Sequence, residues 1–247
     1  MLIFPAGSTQ ACRCAASFLS ANNIPVTLQP TDTVTHLLLD TPSFNDQGNL
    51  RNGGELSFLL ESLPRDIQII GGNLNHPQLA GYHTYDLLRQ EEYLCSNAAI
   101  TAHCALRVAI SHLASILPET SALILGWGRI GKCLAKLLKQ NGASVWLSIR
   151  NPKERALAQA LGYQTLTPDQ DPPCPEQISL LFNTVPDPVL SKERLEKFSR
   201  CVKIDLASSS GLVGEDVITA RGLPGKYAPE SSGKLICQTI LDFLKEE

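Results

Sequence analysis

The chain has 247 residues, of which 43% are apolar, and it carries a formal charge of -3 at pH 7. A chain of this size and composition can bury one large core or two small ones. The small net charge gives no broad attraction for nucleic acid. The apolar residues 1–4 lack the basic lead and the long hydrophobic stretch of a signal peptide. We therefore expect a cytoplasmic globular protein with no nucleic acid and no membrane among its partners.

Eight cysteines are scattered along the chain without a Cys-x-x-Cys pair. Cys12 and Cys14 are closest in sequence, and they fall in a predicted helix, where residues two apart point away from each other. We therefore predict no metal site, and we expect free, buried thiols.

Strand and helix patterns alternate over the first 96 residues, which indicates a parallel sheet with crossover helices. The turn-forming residues at 45–54 predict a surface loop or a mobile lid. Strands are predicted at 2–4, 25–28, 36–40 and 67–70, helices at 9–22 and 55–62, and a short further element at 86–93. Residues 1–96 are therefore predicted to form a small flavodoxin-like domain.

A longer helix is predicted at 97–117 because apolar residues recur there at helical spacing. Pro118 follows and ends the pattern. We expect residues 97–118 to form a helix that bridges two domains.

The next part of the chain, residues 119–231, again alternates strands and helices and predicts a Rossmann domain. Strands are predicted at 121–125, 144–149, 164–166, 178–183 and 202–206, with a last short strand or loop near 223–227. A final amphipathic helix in residues 232–247 is expected to pack back on the first domain. The predicted fold class is α/β, with a Rossmann-type doubly wound parallel sheet plus the smaller flavodoxin-like domain.

The strongest local signal is a G-x-G-x-x-G sequence between a strand and an amphipathic helix, formed by Gly126, Gly128 and Gly131. The first glycine permits the tight turn, the second lets backbone amides approach a pyrophosphate, and the third lets the helix pack closely on the sheet. Arg129 and Ile130 begin the helix, whose N-terminus faces the phosphates in such folds. This pattern predicts a nicotinamide dinucleotide cofactor.

The end of the following strand favours NADP(H) over NAD(H). Enzymes that use NAD place an acid there for the ribose 2′-hydroxyl, but this chain has Arg150, Asn151, Lys153 and Arg155. A carboxylate would repel a 2′-phosphate, whereas a guanidinium can hold one through paired hydrogen bonds. The alternative is a basic, solvated helix start that contacts nothing.

Two later turns are predicted to border the cofactor and the substrate. Thr184, Val185 and Pro186 follow a strand that lies over the nicotinamide ribose in similar folds, so we predict cofactor contact. Ser208 and Ser209 follow the next strand end, where hydroxyls can bind substrate. Plain turn formation is the alternative for both segments.

His103 is the candidate catalytic base, because imidazole titrates near neutral pH and the start of a bridging helix is expected to face the cleft. Asn97 and Thr101 are predicted to bind a substrate carboxylate at the N-terminus of the same helix. A structural histidine and simple helix capping are the alternatives.

Several segments together resemble the dipicolinate synthase A-subunit family. They are 125–131 (Leu-Gly-Trp-Gly-Arg-Ile-Gly), 149–151 (Ile-Arg-Asn), 182–186 (Phe-Asn-Thr-Val-Pro), 205–208 (Asp-Leu-Ala-Ser), 222–229 (Gly-Leu-Pro-Gly-Lys-Tyr-Ala-Pro) and 97–102 (Asn-Ala-Ala-Ile-Thr-Ala). The resemblance extends from about residue 85 to the C-terminus, and the order of its motifs is more specific than any one of them.

This resemblance implies NADP-linked oxidation of dihydrodipicolinate, or of its hydroxy-tetrahydro precursor, to pyridine-2,6-dicarboxylate in spore formation. It also implies a small dicarboxylate substrate, a flavoprotein-like second subunit (the B-subunit of dipicolinate synthase) and a homo-oligomeric assembly.

Two other dehydrogenase classes are disfavoured by the residues that they require. A 2-hydroxy acid dehydrogenase needs a histidine late in the chain, and the last one here is His112. A shikimate-dehydrogenase-like enzyme needs a lysine in its first domain, and residues 1–96 contain none. A non-catalytic NADP(H)-binding regulatory subunit, or an NADP oxidoreductase for another small carboxylate, stays open. The family's usual motifs are altered at His103 and at 210–212, which favours the regulatory alternative.

Overall fold

The computed structural model describes residues 1–51 and 53–246 and shows two parallel sheets. The chain divides into two compact units, one formed by residues 1–97 and 224–247 and the other by residues 98–223. The predicted α/β fold class is confirmed. No helix among the described residues combines the length and the apolar content needed to cross a membrane.

The first unit is built on a four-stranded parallel sheet in the order β1-β2-β3-β4. Its strands are β1 (Ile3–Pro5), β2 (His36–Leu38), β3 (Gln68–Gly71) and β4 (His83–Asp86). The strand predicted at 25–28 is reduced to a single parallel bridge between Val26 and Ile3. Pro25 has no N–H to donate to a ladder, which limits pairing at this edge. When the bridge is counted, the strand order is the 2-1-3-4-5 order of flavodoxin-like folds.

Two helices of the first unit share one core. Helix α1 (Gln10–Ala21) and the C-terminal helix α8 (Pro229–Glu246) pack closely, and Gly233 permits this because a Cβ there would lie 2.5 Å from the Cys14 Cβ. Leu19 and Ile240 are fully buried between the helices and the sheet. Helix α2 (Leu56–Glu61) contributes to a second cluster on the same unit.

Helix α3 spans Glu91–Ile110, so the helix predicted at 97–117 was misplaced at both ends. It begins earlier because Glu91 and Glu92 occupy its first turn, where carboxylates favour the helix dipole. It ends earlier because Ser111 and His112 both bond through their side chains to the Val108 carbonyl. The apolar residues 113 and 116 continue the helical spacing but lie beyond the helix.

The second unit contains a six-stranded parallel sheet in the order β7-β6-β5-β8-β9-β10, the doubly wound order 3-2-1-4-5-6. The strands are β5 (Ser121–Leu125), β6 (Ser144–Ser148), β7 (Gln164–Leu166), β8 (Leu180–Asn183), β9 (Val202–Asp205) and β10 (Val217–Thr219). The helices are α4 (Arg129–Gln140), α5 (Pro152–Ala160) and α6 (Lys192–Glu196), and α7 (Leu223–Tyr227) begins at the end of this unit.

The region after β9 was predicted incorrectly. Strand β10 was missed, and the strand or loop expected near 223–227 is the helix α7. Gly222 adopts φ +64, and Pro224 lies in the first helical turn, where its fixed φ suits a helix. Strand β10 has only three residues, and such a short segment gives little period-two signal.

The loop expected at 45–54 lies partly outside the described residues, because residue 52 is not described. Within the described part, Phe44 pairs with Leu50 in an antiparallel bridge. The side chain of Asn45 accepts hydrogen bonds from the backbone of Gln47 and Asn49, each at 3.0 Å.

The cysteines match the sequence prediction in part. None of the eight forms a disulfide, but only Cys12, Cys104 and Cys237 are buried. The expectation of buried thiols is therefore confirmed for three of them and wrong for the other five, which are half-buried or exposed.

Candidate functional site

The glycine turn after β5 is shaped by two close approaches of the backbone. Gly126 adopts φ +100, and a Cβ there would lie 2.5 Å from the Thr184 Oγ1. A Cβ at Gly131 would lie 2.5 Å from the Gly126 carbonyl oxygen. The N–H of Gly126 donates to the Ser148 carbonyl at 3.0 Å, which ties the turn to β6. Both glycines are therefore needed for the packing of this turn.

Gly128 has a different environment. It caps the start of α4 without a side-chain hydrogen bond, and a Cβ on it would have no heavy atom within 4 Å among the described residues. Arg129 is exposed and Ile130 is half-buried in the first turn that follows. Open space in front of a 12-residue helix fits a pyrophosphate, since the first amides of the helix point into it. The residues of this turn therefore fit a dinucleotide.

Trp127, between the two glycines, was not assigned a role from the sequence. Its ring meets Tyr163 edge-on at a centroid distance of 5.5 Å, and the Lys132 ammonium lies 5.8 Å from its ring centroid. Its indole Nε1 is buried and has no hydrogen-bond partner within residues 1–51 and 53–246. Trp127 therefore packs against Tyr163 and lies near the Lys132 ammonium, beside the two glycines.

The predicted 2′-phosphate residues lie where β6 gives way to α5. Asn151 is the N-cap of α5, and its side-chain oxygen accepts from the Lys153 N–H at 2.9 Å, so its amide has a structural role. Arg150 and Lys153 are exposed, and within the described part of the chain neither forms an ion pair. Arg155 instead donates to the Ile149 carbonyl at 3.3 Å. Arg150 and Lys153 are thus the two cations that a phosphate can recruit here.

The turn after β8 is fixed by hydrogen bonds to β5. Thr184 donates to the Leu125 carbonyl from both its N–H and its hydroxyl, each at 2.9 Å. The Thr184 hydroxyl therefore supports the glycine turn. Val185 is half-buried and its Cγ2 lies 2.8 Å from where a Gly126 Cβ would be, and Pro186 is exposed. Val185 and Pro186 are therefore the residues of this turn that remain available to contact a cofactor.

A buried carboxylate, Asp205, organises the loop after β9. Its two oxygens accept hydrogen bonds from the Asn183 amide at 2.8 Å and from three backbone N–H groups. The donors are Ala207, Gly211 and Leu212, at 3.2, 2.9 and 3.2 Å. A Cβ at Gly211 would overlap the Asn183 amide. The sequence places Asn183 and Asp205 in separate family motifs, and it gave no sign that they bind each other.

The two serines predicted to bind substrate lie on this loop and are both exposed. The Ser209 hydroxyl donates a short hydrogen bond to the Pro186 carbonyl, so it links the loops after β8 and β9. Ser208 forms no hydrogen bond in the described part of the chain. The structure thus leaves Ser208, more than Ser209, able to donate to a ligand.

The residues predicted on the long helix do not lie at its N-terminus. Because α3 begins at Glu91, Asn97 and Thr101 are inside the helix, and their backbone amides are no longer free end groups. Thr101 is buried, whereas His103 is exposed. Two residues along a helix turn by about 200°, so these two side chains lie on nearly opposite faces of α3.

In the first unit, the start of α1 is occupied by the chain itself. The buried Asp40 accepts hydrogen bonds from the backbone N–H groups of Ser8 at 2.8 Å and Thr9 at 3.0 Å. Gly7 permits this, since a Cβ there would lie 2.6 Å from the Asp40 carboxylate. The backbone N–H groups of Ser8 and Thr9 therefore already have an acceptor within the chain. The described residues also contain no cluster of three or more metal-ligating side chains.

Comparisons with known proteins show what this chain is similar to. No protein-family model matches the sequence. The A-subunit of dipicolinate synthase from Bacillus subtilis (strain 168) is 24% identical over 169 residues. The match covers 65% of this chain and 57% of that relative, so it spans less than two thirds of the relative's length.

Solved structures share the whole fold. The crystal structure of the dipicolinate synthase A-subunit from Bacillus halodurans has a TM-score of 0.81 at 19% identity and covers 98% of this chain and 97% of its own. The A chain of dipicolinate synthase from Bacillus subtilis has a TM-score of 0.79 at 18% identity, covering 99% and 95%. A transhydrogenase from Sinorhizobium meliloti has a TM-score of 0.72 at 13% identity, covering 100% and 94%. The resemblance seen in the sequence is confirmed, and the fold is the one that these structures share.

Proposed function

We propose that this chain, which resembles the dipicolinate synthase A-subunit family in sequence and in fold, is an NADP-dependent dehydrogenase of a small dicarboxylate. The observation that carries the proposal is the glycine turn: Gly126 and Gly131 are packed tightly, while Gly128 faces open space at the start of α4. The proposed reaction is oxidation of dihydrodipicolinate to pyridine-2,6-dicarboxylate in spore formation; with its hydroxy-tetrahydro precursor as substrate, loss of one water accompanies the oxidation.

The proposed cofactor contacts follow the shape of the second unit. The first amides of α4, with Arg129 and Ile130, receive the pyrophosphate, and Arg150 and Lys153 receive the 2′-phosphate. Val185 and Pro186 border the nicotinamide ribose. NADP rather than NAD is proposed because residues 149–153, which directly follow β6, contain no acid.

The proposed oxidation requires one hydride acceptor and one base. Oxidation of the dihydropyridine removes one hydride and one proton and leaves an aromatic ring, and NADP+ supplies the acceptor when it is bound. We assign the proton to the His103 imidazole, which is exposed to solvent and can pass it on. We assign Ser208 to the substrate, because its hydroxyl is exposed and forms no hydrogen bond within the described residues.

The test measures NADP reduction by the purified protein on substrate generated in place from aspartate semialdehyde and pyruvate. Terbium luminescence reports the pyridine dicarboxylate that forms. The assay is run with and without the flavoprotein-like second subunit that the family resemblance implies. Product with NADP reduction in equal amounts supports the proposal, and the absence of both with either preparation contradicts it.

A non-catalytic NADP(H)-binding regulatory subunit is the second candidate, and one observation favours it. Thr101 and His103 lie on nearly opposite faces of α3, so they do not form one compact set of substrate and base. In the same assay, tight binding of NADPH without product supports this candidate or an oxidoreductase that acts on another small carboxylate. A panel of small hydroxy and imino acids then separates these two.

A further inference from the structure

Glu154 lies in the segment that is proposed to hold the 2′-phosphate. It is the only carboxylate in residues 150–155, which also contain three cations. Its backbone N–H is bonded to the Asn151 cap at 3.4 Å, so it is held in the first turn of α5, next to Lys153. An uncompensated carboxylate at this place would repel the phosphate that distinguishes NADP from NAD.

Lys132 of α4 compensates that carboxylate. Its ammonium lies 3.1 Å from the Glu154 Oε2, which is shielded from solvent. The same ammonium lies 5.8 Å from the ring centroid of Trp127 in the glycine turn. Lys132 therefore connects the helix of the glycine turn with the helix that follows β6, 22 residues away in sequence.

We infer that Lys132 determines the preference for NADP over NAD by neutralising Glu154, an inference that rests on the proposed NADP binding. With the pair intact, Arg150 and Lys153 give the site a positive field for the 2′-phosphate, which carries close to two negative charges at neutral pH. Lys132 is a positioning residue in this proposal, because its effect is exerted through Glu154. Its loss would leave an acid near the ribose, the arrangement that suits NAD.

The experiment measures equilibrium binding of NADPH and NADH to the full-length protein by nucleotide fluorescence. Lys132→Met is compared with Lys136→Met, which removes the same charge one turn further along α4, where no ion pair forms among the described residues. For Lys132→Met we expect a loss of NADPH affinity on the order of tenfold and a change of less than about twofold for NADH. Lys136→Met should leave the ratio of the two affinities unchanged.

The double variant Lys132→Met with Glu154→Gln separates neutralisation from a plain loss of positive charge. If Glu154 is what Lys132 controls, removing both charges restores NADPH affinity to within about threefold of wild type. The effect of Lys132→Met should also shrink at about 1 M salt, where the screening length is about 3 Å.

Two outcomes contradict the inference in distinguishable ways. If wild-type protein binds NADPH but Lys132→Met keeps its affinity ratio, or the double variant is not restored, Lys132 does not set the preference. If wild-type protein binds neither nucleotide, the proposed function itself is wrong. The variants should fold, because half-exposed ion pairs contribute only about 0 to 1 kcal/mol to stability.

Discussion

Gly128 offers a test in which folding and nucleotide binding separate. Its φ of -78 is available to alanine, and a Cβ there meets open space. We expect Gly128→Ala to melt within about 1 °C of wild type, because nothing is displaced. NADPH binding should weaken by at least about tenfold, because the methyl group occupies space proposed for the pyrophosphate. Thermal unfolding and fluorescence titration measure the two effects.

Gly126→Ala is the matched control for that variant, since it adds the same methyl group two residues earlier. Here alanine meets φ +100 and the Thr184 hydroxyl at 2.5 Å. We expect the free energy of unfolding to fall by about 3 kcal/mol. Unchanged NADPH affinity in Gly128→Ala, at normal stability, would show that the pyrophosphate does not lie at this turn.

His103 can be tested as the base without disturbing the core, because its side chain is exposed. In the proposed reaction, His103→Gln should lower kcat by about 100-fold or more, which is the usual worth of a positioned general base. NADPH affinity and melting temperature should stay at wild-type values. His112→Gln, two residues beyond the end of α3, is the control and should retain kcat. Equal rates for wild type and His103→Gln would remove the catalytic role.

At the level of elements, Asp171 connects α6 with the loop after β7. It accepts hydrogen bonds from Arg194 at 2.9 Å and from Lys197 at 2.7 Å, and Arg194 also bonds to the carbonyls of Pro168 and Gln170. Burial raises the pKa of the Asp171 carboxyl, but the hydrogen bonds from Lys197 and Arg194 outweigh burial, so this pKa is lowered from its ordinary value of 3.8. A carboxyl with a lowered pKa in the folded state stabilises the fold at neutral pH.

The sign of the pH dependence follows from that lowered pKa. The stabilisation is fully present above the pKa of the unfolded chain and is lost as the pH falls through the lower pKa of the folded state. At pH values from about 5 to 7, the free energy of unfolding of Asp171→Asn should therefore be about 1 to 2 kcal/mol lower than that of the wild type. This difference should shrink below about pH 4. Urea unfolding at about pH 7, 5 and 3 measures it. Glu196→Gln, exposed on the same helix, should show no such difference.

Local sequence patterns predicted much of the second unit, whereas they did not predict the contacts between segments that are distant in sequence. The glycine turn could be recognised because strand, glycines and helix are contiguous in residues 121–140. The pairs Asn183 with Asp205 and Lys132 with Glu154 each join residues 22 apart on different elements, and no periodicity records such contacts. These two contacts form only in the folded chain, where β8 pairs with β9 and Lys132 of α4 meets Glu154 of α5.

The ends of α3 show a second reason for error. Apolar residues at 113 and 116 continue a helical period, but the hydroxyl of Ser111 and the ring of His112 bind the Val108 carbonyl. Side chains that compete for backbone groups end helices that hydrophobic spacing alone would extend. At the other end, the earlier start of α3 at Glu91 places Asn97 and Thr101 in the helix interior and not at its start.

At the level of the whole molecule, the division of the chain into two units predicts how a bound nucleotide affects unfolding. The two tryptophans of the chain, Trp127 and Trp146, both belong to the unit formed by residues 98–223. Tryptophan fluorescence therefore reports the unfolding of that unit, whereas far-ultraviolet circular dichroism reports both. NADPH at about 100 times its Kd should stabilise the unit that binds it by about 2.7 kcal/mol.

We therefore expect NADPH to raise the midpoint of the fluorescence transition and to leave part of the circular dichroism transition at its original midpoint. The unshifted part belongs to the unit formed by residues 1–97 and 224–247, which has its own core of Leu19, Ile236 and Ile240. For Gly128→Ala, whose Kd for NADPH is expected to rise at least about tenfold, the same NADPH concentration should stabilise that unit by only about 1.4 kcal/mol or less, so the fluorescence midpoint should shift less than in wild type. If both signals move together in wild type, the two units unfold as one cooperative structure, because stabilisation of one is then shared by the other.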